Sequence, residues 1–216
     1  MMMKQLLTLV LLFVAAQTWG REWSFELRPD ELKFCSADKL ERPTWFVDSC
    51  GIQNMMNLSF FTHRTFIPPY KDNRVTVWKN KKKWPFFVIR GNSFELYDGE
   101  QWNSLRKDTV LKETADAIVS GYPILMKGGN KKRLPKSFFA KRRCARTAIG
   151  FHPNGSIILY ITSAGTLKDV QSYFYRLGCT DAINLDGGSS TFLYLNGKHV
   201  YSSKEGRSYP NVLYWN

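Results

Sequence analysis

The residues that could do chemistry are concentrated in one short stretch, DAINLDGGSST, at residues 181–191. Ile183 and Leu185 alternate with Asn184 and Asp186, which predicts a strand that ends at Asp186. Two glycines follow this carboxylate, so the backbone there is free to adopt positive φ and to approach a ligand closely. Successive N–H groups and hydroxyls in such a turn favour an anion. A carboxylate beside an anion suits cleavage of a bond next to a phosphate or sulfate, with the carboxylate as nucleophile or as acid/base.

The same stretch also fits a plain tight turn in which Asp186 accepts hydrogen bonds from the turn's N–H groups, because Asp-Gly is common in hairpins. Dinucleotide binding is disfavoured. The glycines do not follow the GxGxxG pattern, and the segment after them has the composition of a strand and not of a helix.

The preceding residues predict the elements that position this stretch. Ile157–Thr162 has the composition of a strand, and apolar residues at helical spacing follow Thr166, an N-cap candidate, up to Gly178. With a strand at Ala182–Asp186, this is a βαβ crossover, which makes its two strands parallel and places Asp186 at the carboxyl edge where open α/β sheets bind ligands. The sequence therefore predicts an α+β fold: a single domain with a mixed, largely β sheet core, the βαβ unit at 157–186 and flanking helices.

The N-terminus has the features of an export signal. Lys4 precedes the apolar run Leu6–Ala16, and small residues follow. This run is shorter than the ~20 apolar residues that a membrane-spanning helix needs. We therefore predict a signal peptide at residues 1–20, a mature domain at residues 21–216, and a secreted or periplasmic protein.

Export predicts that the four cysteines form disulfides, because exported proteins fold under oxidising conditions. Four cysteines allow three pairings, and their order and spacing favour Cys35–Cys50 and Cys144–Cys179. None of them stands in a CxxC arrangement, which disfavours a zinc cluster.

The net charge of +13 is concentrated in the second half of the chain. Residues 118–216 hold 14 bases and 4 acids, and the segment from Lys127 to Arg146 contains no acid. Such a surface attracts polyanions over a distance that salt shortens, although a merely solvated basic loop explains it equally well. Electrostatic contact with an anionic envelope surface is compatible with this charge. No nucleic-acid-binding module is recognisable, so a nucleic-acid partner is not expected.

The run GTLKDVQSYFYRLGCTDAINLDGGSST resembles the core of the phosphodiester glycosidase family. Other segments resemble that family's motifs in the same order, and together they span residues 54–213. The third glycine of the family's Gly-Gly-Gly-Ser-Ser motif is Ser189 here, and its Asp-Gly-Arg is Ser163-Ala164-Gly165. The other similar segments are Asn57–Phe61, Val119–Leu125, Arg146–Gly150 and Arg207–Asn211.

The resemblance implies hydrolysis of a sugar-1-phosphate diester at the anomeric C–O bond, which leaves a phosphomonoester. Such a reaction needs a positive group at the phosphate and a carboxylate at the anomeric carbon. We predict Asp186 as this carboxylate, with an orienting or metal-holding role as the alternative. We predict Arg146 as the phosphate ligand, with a buried ion pair to Asp186 as the alternative. The remaining predicted substrate-binding residues are Asn57, Gly187, Gly188, Ser189, Ser190, Thr191, Arg207 and Asn211.

No metal and no cofactor are expected, and the expected partner is a phosphorylated glycan or another anionic saccharide. The departures at Ser189 and at residues 163–165 leave a second interpretation open, in which the same fold binds a phosphoglycan or another polyanion without turnover. A third, binding of nucleic acid or anionic lipid, rests on charge alone.

Overall fold

The structure is a computed structural model of the chain. The predicted signal peptide at residues 1–20 lies outside the described residues except for Gly20, so the leader remains a prediction. Within the described part of the chain, no helix combines the length and apolar character that a membrane crossing requires. The described residues are 20–62, 67, 69–73, 76–77, 83–105 and 107–215.

Sixteen strands and five α-helices are found among these residues. The strands are β1 (Glu22–Leu27), β2 (Lys33–Glu41), β3 (Asn54–Asn57), β4 (Tyr70–Lys71), β5 (Thr76–Val77), β6 (Phe86–Arg90), β7 (Ser93–Tyr97), β8 (Ala117–Ser120), β9 (Ile124–Lys127), β10 (Asn130–Lys131), β11 (Cys144–Phe151), β12 (Ile157–Gly165), β13 (Asp181–Asn184), β14 (Phe192–Leu195), β15 (Lys198–Ser202) and β16 (Tyr209–Trp215). The helices are α1 (Pro43–Cys50), α2 (Trp102–Leu105), α3 (Thr109–Thr114), α4 (Phe138–Lys141) and α5 (Leu167–Arg176).

The strands form three antiparallel sheets, which confirms a largely β, α+β domain. Sheet 1 has the order β1-β12-β11-β13-β9-β10, sheet 2 the order β15-β14-β3-β16-β2, and sheet 3 the order β5-β4-β8-β6-β7. Apolar side chains from all three sheets, among them Ile149, Leu213 and Phe87, meet in one buried cluster. The three sheets therefore share a core, and the loops that join them lie at its edge.

The crossover that the sequence predicts is present, but its two strands are not neighbours. β12 and β13 both run antiparallel to β11, which lies between them, so they are parallel to one another. The expectation of a parallel-sheet edge at Asp186 is therefore wrong, because both neighbours of β13 run antiparallel to it. The chain alone could not show that β11, an earlier segment, inserts into the crossover.

Helix α5 is built as its sequence predicts. The Thr166 hydroxyl accepts the N–H of Asp169 at 3.2 Å, and the Asp169 carboxylate accepts the N–H of Thr166 at 2.8 Å. This capping box satisfies N–H groups that the first helical turn cannot pair internally. Leu167, Val170 and Phe174 are fully buried and pack against sheet 1. The helix thus covers one face of sheet 1 between β12 and the strand that leads to Asp186.

Two sequence expectations about strands differ from the structure. The apolar run ADAIVSGYPILM at residues 115–126 predicts one buried strand that enters a turn, but it forms β8 in sheet 3 and β9 in sheet 1. Gly121 lies between them, against the Asn184 carbonyl and the Ile183 side chain, where a Cβ would come within 2.7 Å of both. The segment 21–50 has no clear period and yet supplies β1, β2 and α1. Its strands pair with β12 and β16, which follow more than a hundred residues later.

The structure also corrects one of the two favoured cysteine pairs. Cys179 lies beside Gly150, at one end of β11, whereas Cys144 begins that strand. Six residues of extended chain separate Cys144 from Gly150 by about 20 Å, far beyond the roughly 7 Å between Cα atoms that a disulfide tolerates. The other favoured pair, Cys35 on β2 and Cys50 at the end of α1, is close enough to bond, because the two Sγ atoms lie 3.7 Å apart.

We predict that Cys35 and Cys50 form a disulfide when the folded chain is oxidised, and that Cys144 and Cys179 do not. Closing this loop, which spans 15 residues, should raise the free energy of unfolding by about 3 kcal/mol. Peptide mapping without reduction would identify the bond, and denaturant unfolding with and without reductant would measure its effect. A C144S/C179S variant should still form the Cys35–Cys50 bond and should show the same effect of reductant on the free energy of unfolding. A cross-link between Cys144 and Cys179 in the folded protein would contradict this register of the sheet.

Candidate functional site

The turn that carries Asp186 spans the junction between sheets 1 and 2. Strand β13 ends at Asn184, two residues before the predicted end, so Asp186 lies in the turn itself. The Leu185 N–H donates to the Thr147 carbonyl of β11 at 2.9 Å, and the Asp186 N–H donates to the Leu58 carbonyl, just after β3, at 3.2 Å. Consecutive backbone groups are thus bound to two different sheets, which holds the turn in place.

The two glycines of the turn are required for different reasons. A Cβ on Gly187 would lie 3.1 Å from the Ala145 carbonyl oxygen and 3.5 Å from the Arg146 Cα, because the turn packs directly on the β11 backbone. Gly188 faces open space but has φ +60°, which disfavours other residues. Ser189 does not have a positive φ, so the turn tolerates the serine that replaces the third glycine of the family motif.

Asn57 ties the turn to both sheets. Its Nδ2 donates to the Asp186 carbonyl at 2.6 Å. Its Oδ1 accepts the Thr147 hydroxyl at 3.0 Å and the Phe192 N–H at 3.2 Å. The side chain is 1% exposed, so Asn57 supports the turn from beneath and is not positioned to contact a ligand.

The Asp186 carboxylate lies in a partly buried position on this turn. Its Oδ1 accepts the N–H of Gly187 at 2.9 Å, and the Ser190 side chain also donates to the carboxylate. Burial raises the pKa of Asp186 from 3.8 to about 6, although the hydrogen bonds from Ser190 and Gly187 and the charge of Arg207 lower it. A carboxyl group with this pKa exchanges protons near neutral pH, as general acid/base catalysis requires.

Arg207 is the cation whose charge acts on the Asp186 carboxylate. Its Nη1 donates to the Ser189 hydroxyl at 3.3 Å, and its guanidinium lies over the Phe61 ring at 5.1 Å from the centroid. Its Nε is buried and has no hydrogen-bond partner in the described part of the protein. A buried, unpaired donor is costly unless a ligand satisfies it. Arg207 therefore retains capacity to bind an anion next to Asp186.

The structure directs the Arg146 guanidinium away from this turn. Side chains alternate along a strand, and the next residue, Thr147, faces Asn57. The Arg146 Nε donates to the Gly165 carbonyl at 3.2 Å, and its Nη2 donates to the Phe139 and Arg142 carbonyls at 2.6 and 2.7 Å. Arg146 is 1% exposed. No ion pair joins it to Asp186 among the described residues, so neither sequence interpretation describes its contacts.

Three further predicted residues are buried beneath the site. Ser190 is 2% exposed, Thr191 is fully buried with its hydroxyl 3.5 Å from that of Thr147, and Asn211 is 1% exposed. The Asn211 Nδ2 donates to the Ser59 hydroxyl at 2.9 Å. Together with Asn57 these residues form a buried polar layer. Above this layer lie the residues that reach the surface, which are Asp186, Gly187, Gly188, Ser189 and Arg207.

Several residues that shape this site carry no functional signal in the sequence. Phe61 supports the Arg207 guanidinium. The Tyr209 ring lies against the Phe192 ring, with 4.4 Å between the centroids. Burial raises the pKa of the Tyr209 hydroxyl, and the charge of Arg207 lowers this pKa while that of Asp186 raises it. Both residues lie in segments that resemble family motifs, but an aromatic residue in a strand is ordinarily a core residue. The sequence carried no signal that separates the two cases.

No group of three or more His, Cys, Asp or Glu side chains could hold a metal within the described residues. The site instead offers a carboxylate with a raised pKa, an arginine with an unsatisfied buried donor, and a tight turn of small residues. The turn's own hydrogen bonds use the N–H groups of Gly187, Ser190 and Thr191. This arrangement can place an anionic group against Arg207 and the exposed turn, with the neighbouring atom of the ligand beside Asp186.

The sequence matches the phosphodiester glycosidase family over residues 55–215. No curated protein sequence matches the chain.

Solved structures show the same fold. The catalytic domain of zebrafish N-acetylglucosamine-1-phosphodiester alpha-N-acetylglucosaminidase, auto-inhibited by its pro-peptide, superimposes with a TM-score of 0.71 at 18% identity, over 91% of this chain and 76% of that one. A Synechocystis protein superimposes with a TM-score of 0.72 at 13% identity, over 90% of this chain and 59% of that one. A Burkholderia pseudomallei protein described as exported superimposes with a TM-score of 0.55 at 12% identity, over 90% of this chain and 73% of that one.

The raised pKa of Asp186 predicts a specific dependence of stability on pH. Because the folded chain holds this proton more tightly than the unfolded chain, the group's contribution to the free energy of unfolding is fully present below pH 3.8 and is lost as pH rises to about 6. The amide of Asp186→Asn does not ionise, so the variant does not lose this stability as pH rises. The variant should therefore gain about 2 kcal/mol over the wild type between pH 4 and pH 7.5, as measured by urea unfolding at both pH values.

Asp48→Asn is the matched control, because Asp48 is exposed, and its difference from the wild type should change little with pH. If Asp186→Asn behaves like Asp48→Asn at both pH values, Asp186 is not desolvated as the structure indicates.

Proposed function

Since the chain belongs to the phosphodiester glycosidase family, we propose that it hydrolyses a sugar-1-phosphate diester at the anomeric C–O bond. The oxygen of water becomes the new sugar hydroxyl. The phosphate keeps the former bridging oxygen and leaves as a phosphomonoester, and one proton is released. The named activity of the zebrafish relative is of this type, and N-acetylglucosamine is therefore the first sugar to test.

The observation that carries this proposal is the buried, unpaired Nε of Arg207, whose charge also acts on Asp186. A diester phosphate carries one negative charge, and its oxygens would satisfy this donor in a charge-assisted hydrogen bond. The exposed turn at Gly188 and Ser189 would contact the other phosphate oxygens. We assign the phosphate to Arg207, and Arg146 becomes a positioning residue that fixes β11 beneath the turn.

Asp186 would act on the sugar side of the bond in its ionised form. The developing positive charge at the anomeric carbon is stabilised by a nearby carboxylate. Asp186 serves there as the nucleophile or as the base that activates water, and both roles require the unprotonated group. Phosphate is a good leaving group, so the bond needs little help from a separate acid.

Export and an anionic polymer as substrate complete the proposal. The apolar N-terminal run supports a secreted or periplasmic location, and 14 bases against 4 acids in residues 118–216 support a phosphorylated glycan or another anionic saccharide as the partner. The same charge would favour contact with an anionic envelope surface. An idle binding module of the same fold is the competing function, which the family departures at residues 163–165 favour.

The direct test is release of free sugar from a defined diester. Mature protein is incubated with UDP-N-acetylglucosamine and with methyl N-acetylglucosaminyl phosphate, and free N-acetylglucosamine is measured. We expect release by the wild type, a loss of at least about 10³-fold in Asp186→Asn, and a loss of about 10²-fold in Arg207→Ala. Arg146→Ala would be expected to unfold, so it cannot decide the assignment.

Asp48→Asn and Arg176→Ala are the matched controls, because both side chains are exposed and lie on helices α1 and α5, outside the turn. Each should retain the wild-type rate. Binding of both diesters with no release by the wild type would support the idle module. An Arg207→Ala variant as active as Arg176→Ala would contradict the assignment of the phosphate to Arg207.

The pH dependence tests the role given to Asp186. Because the ionised carboxylate is the active form and burial raises the pKa of Asp186 to about 6, kcat/KM should rise about tenfold per pH unit below pH 6 and level off above it. Rates of sugar release between pH 4 and pH 8, with unfolding monitored at each pH, would measure this. A rate that falls as pH rises through 6 would assign Asp186 as an acid instead.

A further inference from the structure

A second cationic region of the protein lines a surface pocket of about 440 Å³. We call it the basic pocket. It combines an aromatic side chain, proline rings and three cations, and the residues that matter here are Asp98, Tyr122, Pro123, Lys132, Arg133 and Lys136. The site described above does not use any of them.

The cations of the basic pocket belong to a segment that is held against the domain. The buried Gln171 side chain of α5 donates to the Lys132 carbonyl at 2.7 Å and to the Leu125 carbonyl at 2.9 Å. The Lys132 N–H in turn donates to the Leu125 carbonyl at 3.0 Å. Leu134 packs against the core beneath α5. The backbone that presents these charges is therefore fixed, in contrast to a loosely solvated loop.

The charges of the basic pocket are not neutralised within the described protein. Lys132, Arg133 and Lys136 are exposed and form no ion pair with any described carboxylate. The one carboxylate that lines the pocket, Asp98, is paired with Lys127 at 2.9 Å. The pocket thus presents about three uncompensated positive charges.

The basic pocket is connected to the Asp186 turn by backbone and by a row of aromatic rings. The Tyr122 N–H donates to the Asn184 carbonyl at 2.8 Å, and Asn184 precedes Asp186 by two residues, about 7 Å along an extended chain. The Tyr122 ring lies 5.5 Å from that of Trp84, which lies 4.9 Å from that of Phe60. Phe60 follows Leu58, whose carbonyl binds the Asp186 N–H, by two residues.

We propose that the basic pocket is a second anion subsite, which binds a phosphate on the aglycone part of the substrate while Arg207 binds the phosphate of the bond to be cleaved. This rests on the proposed function, and it deepens that function by naming substrates with at least two phosphates. The row of rings suits a sugar or base of the aglycone, because flat apolar faces pack against aromatic side chains.

The test compares two diesters that share the cleaved bond. UDP-N-acetylglucosamine carries a second phosphate on the aglycone side, and methyl N-acetylglucosaminyl phosphate does not. For the pocket variant K132A/R133A/K136A, we expect KM for the first diester to rise about tenfold, since each exposed charge pair is worth at most a factor of about five. Neither kcat nor the KM for the methyl diester should change.

The matched control is K33A/K168A/K198A, which removes the same charge from exposed positions outside the pocket. It should leave both KM values within about twofold of the wild type. Equal effects of the two triple variants on UDP-N-acetylglucosamine would overturn the subsite, because the general field of the protein would then explain them. An increase in KM for the methyl diester in the pocket variant alone would overturn it as well.

If the wild type cleaves neither diester, the proposed function fails, and the basic pocket is tested separately with inorganic tripolyphosphate. Calorimetric titration at 50 mM salt should then show binding that the pocket variant weakens about tenfold and the control variant leaves intact. Absence of binding to the wild type, or equal weakening in both variants, would overturn the anion subsite independently of catalysis.

Discussion

The whole site depends on the three hydrogen bonds of one buried side chain, Asn57. Its amide holds the Asp186 carbonyl, the Thr147 hydroxyl and the Phe192 N–H, which belong to the turn, to sheet 1 and to sheet 2. A buried amide that lost these partners would leave several polar groups unpaired, at about 1–3 kcal/mol each. The position of the carboxylate is therefore a consequence of how two sheets are joined, and the chemistry that we propose takes place at that joint.

The rest of the architecture serves this joint. Gly187 allows the turn to rest on the β11 backbone, and β11 sets the distance between the strands of the crossover by pairing with both. Arg146, whose guanidinium donates to three backbone carbonyls and lies over the Phe139 ring, fixes the strand on its other face. Once this frame is rigid, Asp186 can remain partly desolvated beside Arg207, and the two opposite charges stay separate and available to a ligand.

Much of this could be predicted from the sequence, and the failures have physical causes. The turn, the helix with its Thr166 cap and the family were predictable because they depend on local pattern. The insertion of β11 between β12 and β13 was not, because strand order depends on pairings between distant segments. The sequence predicts Arg146 as a phosphate ligand because it places Arg146 in a strand next to Asp186, but only the observed register shows that its guanidinium points away from the turn. Whether a polar residue contacts a ligand or supports the turn, as for Asn57 and Thr191, is decided by burial.

The central claim is that Asp186 and Arg207 share one partly buried site. A titration of the Asp186 carboxyl group by carbon NMR, in the wild type and in Arg207→Ala, tests this most directly. Burial raises the pKa of Asp186 to about 6 while the charge of Arg207 lowers it, so the measured pKa should be near 6 and should rise further in the variant. A pKa near 4 that Arg207→Ala leaves unchanged would contradict the account.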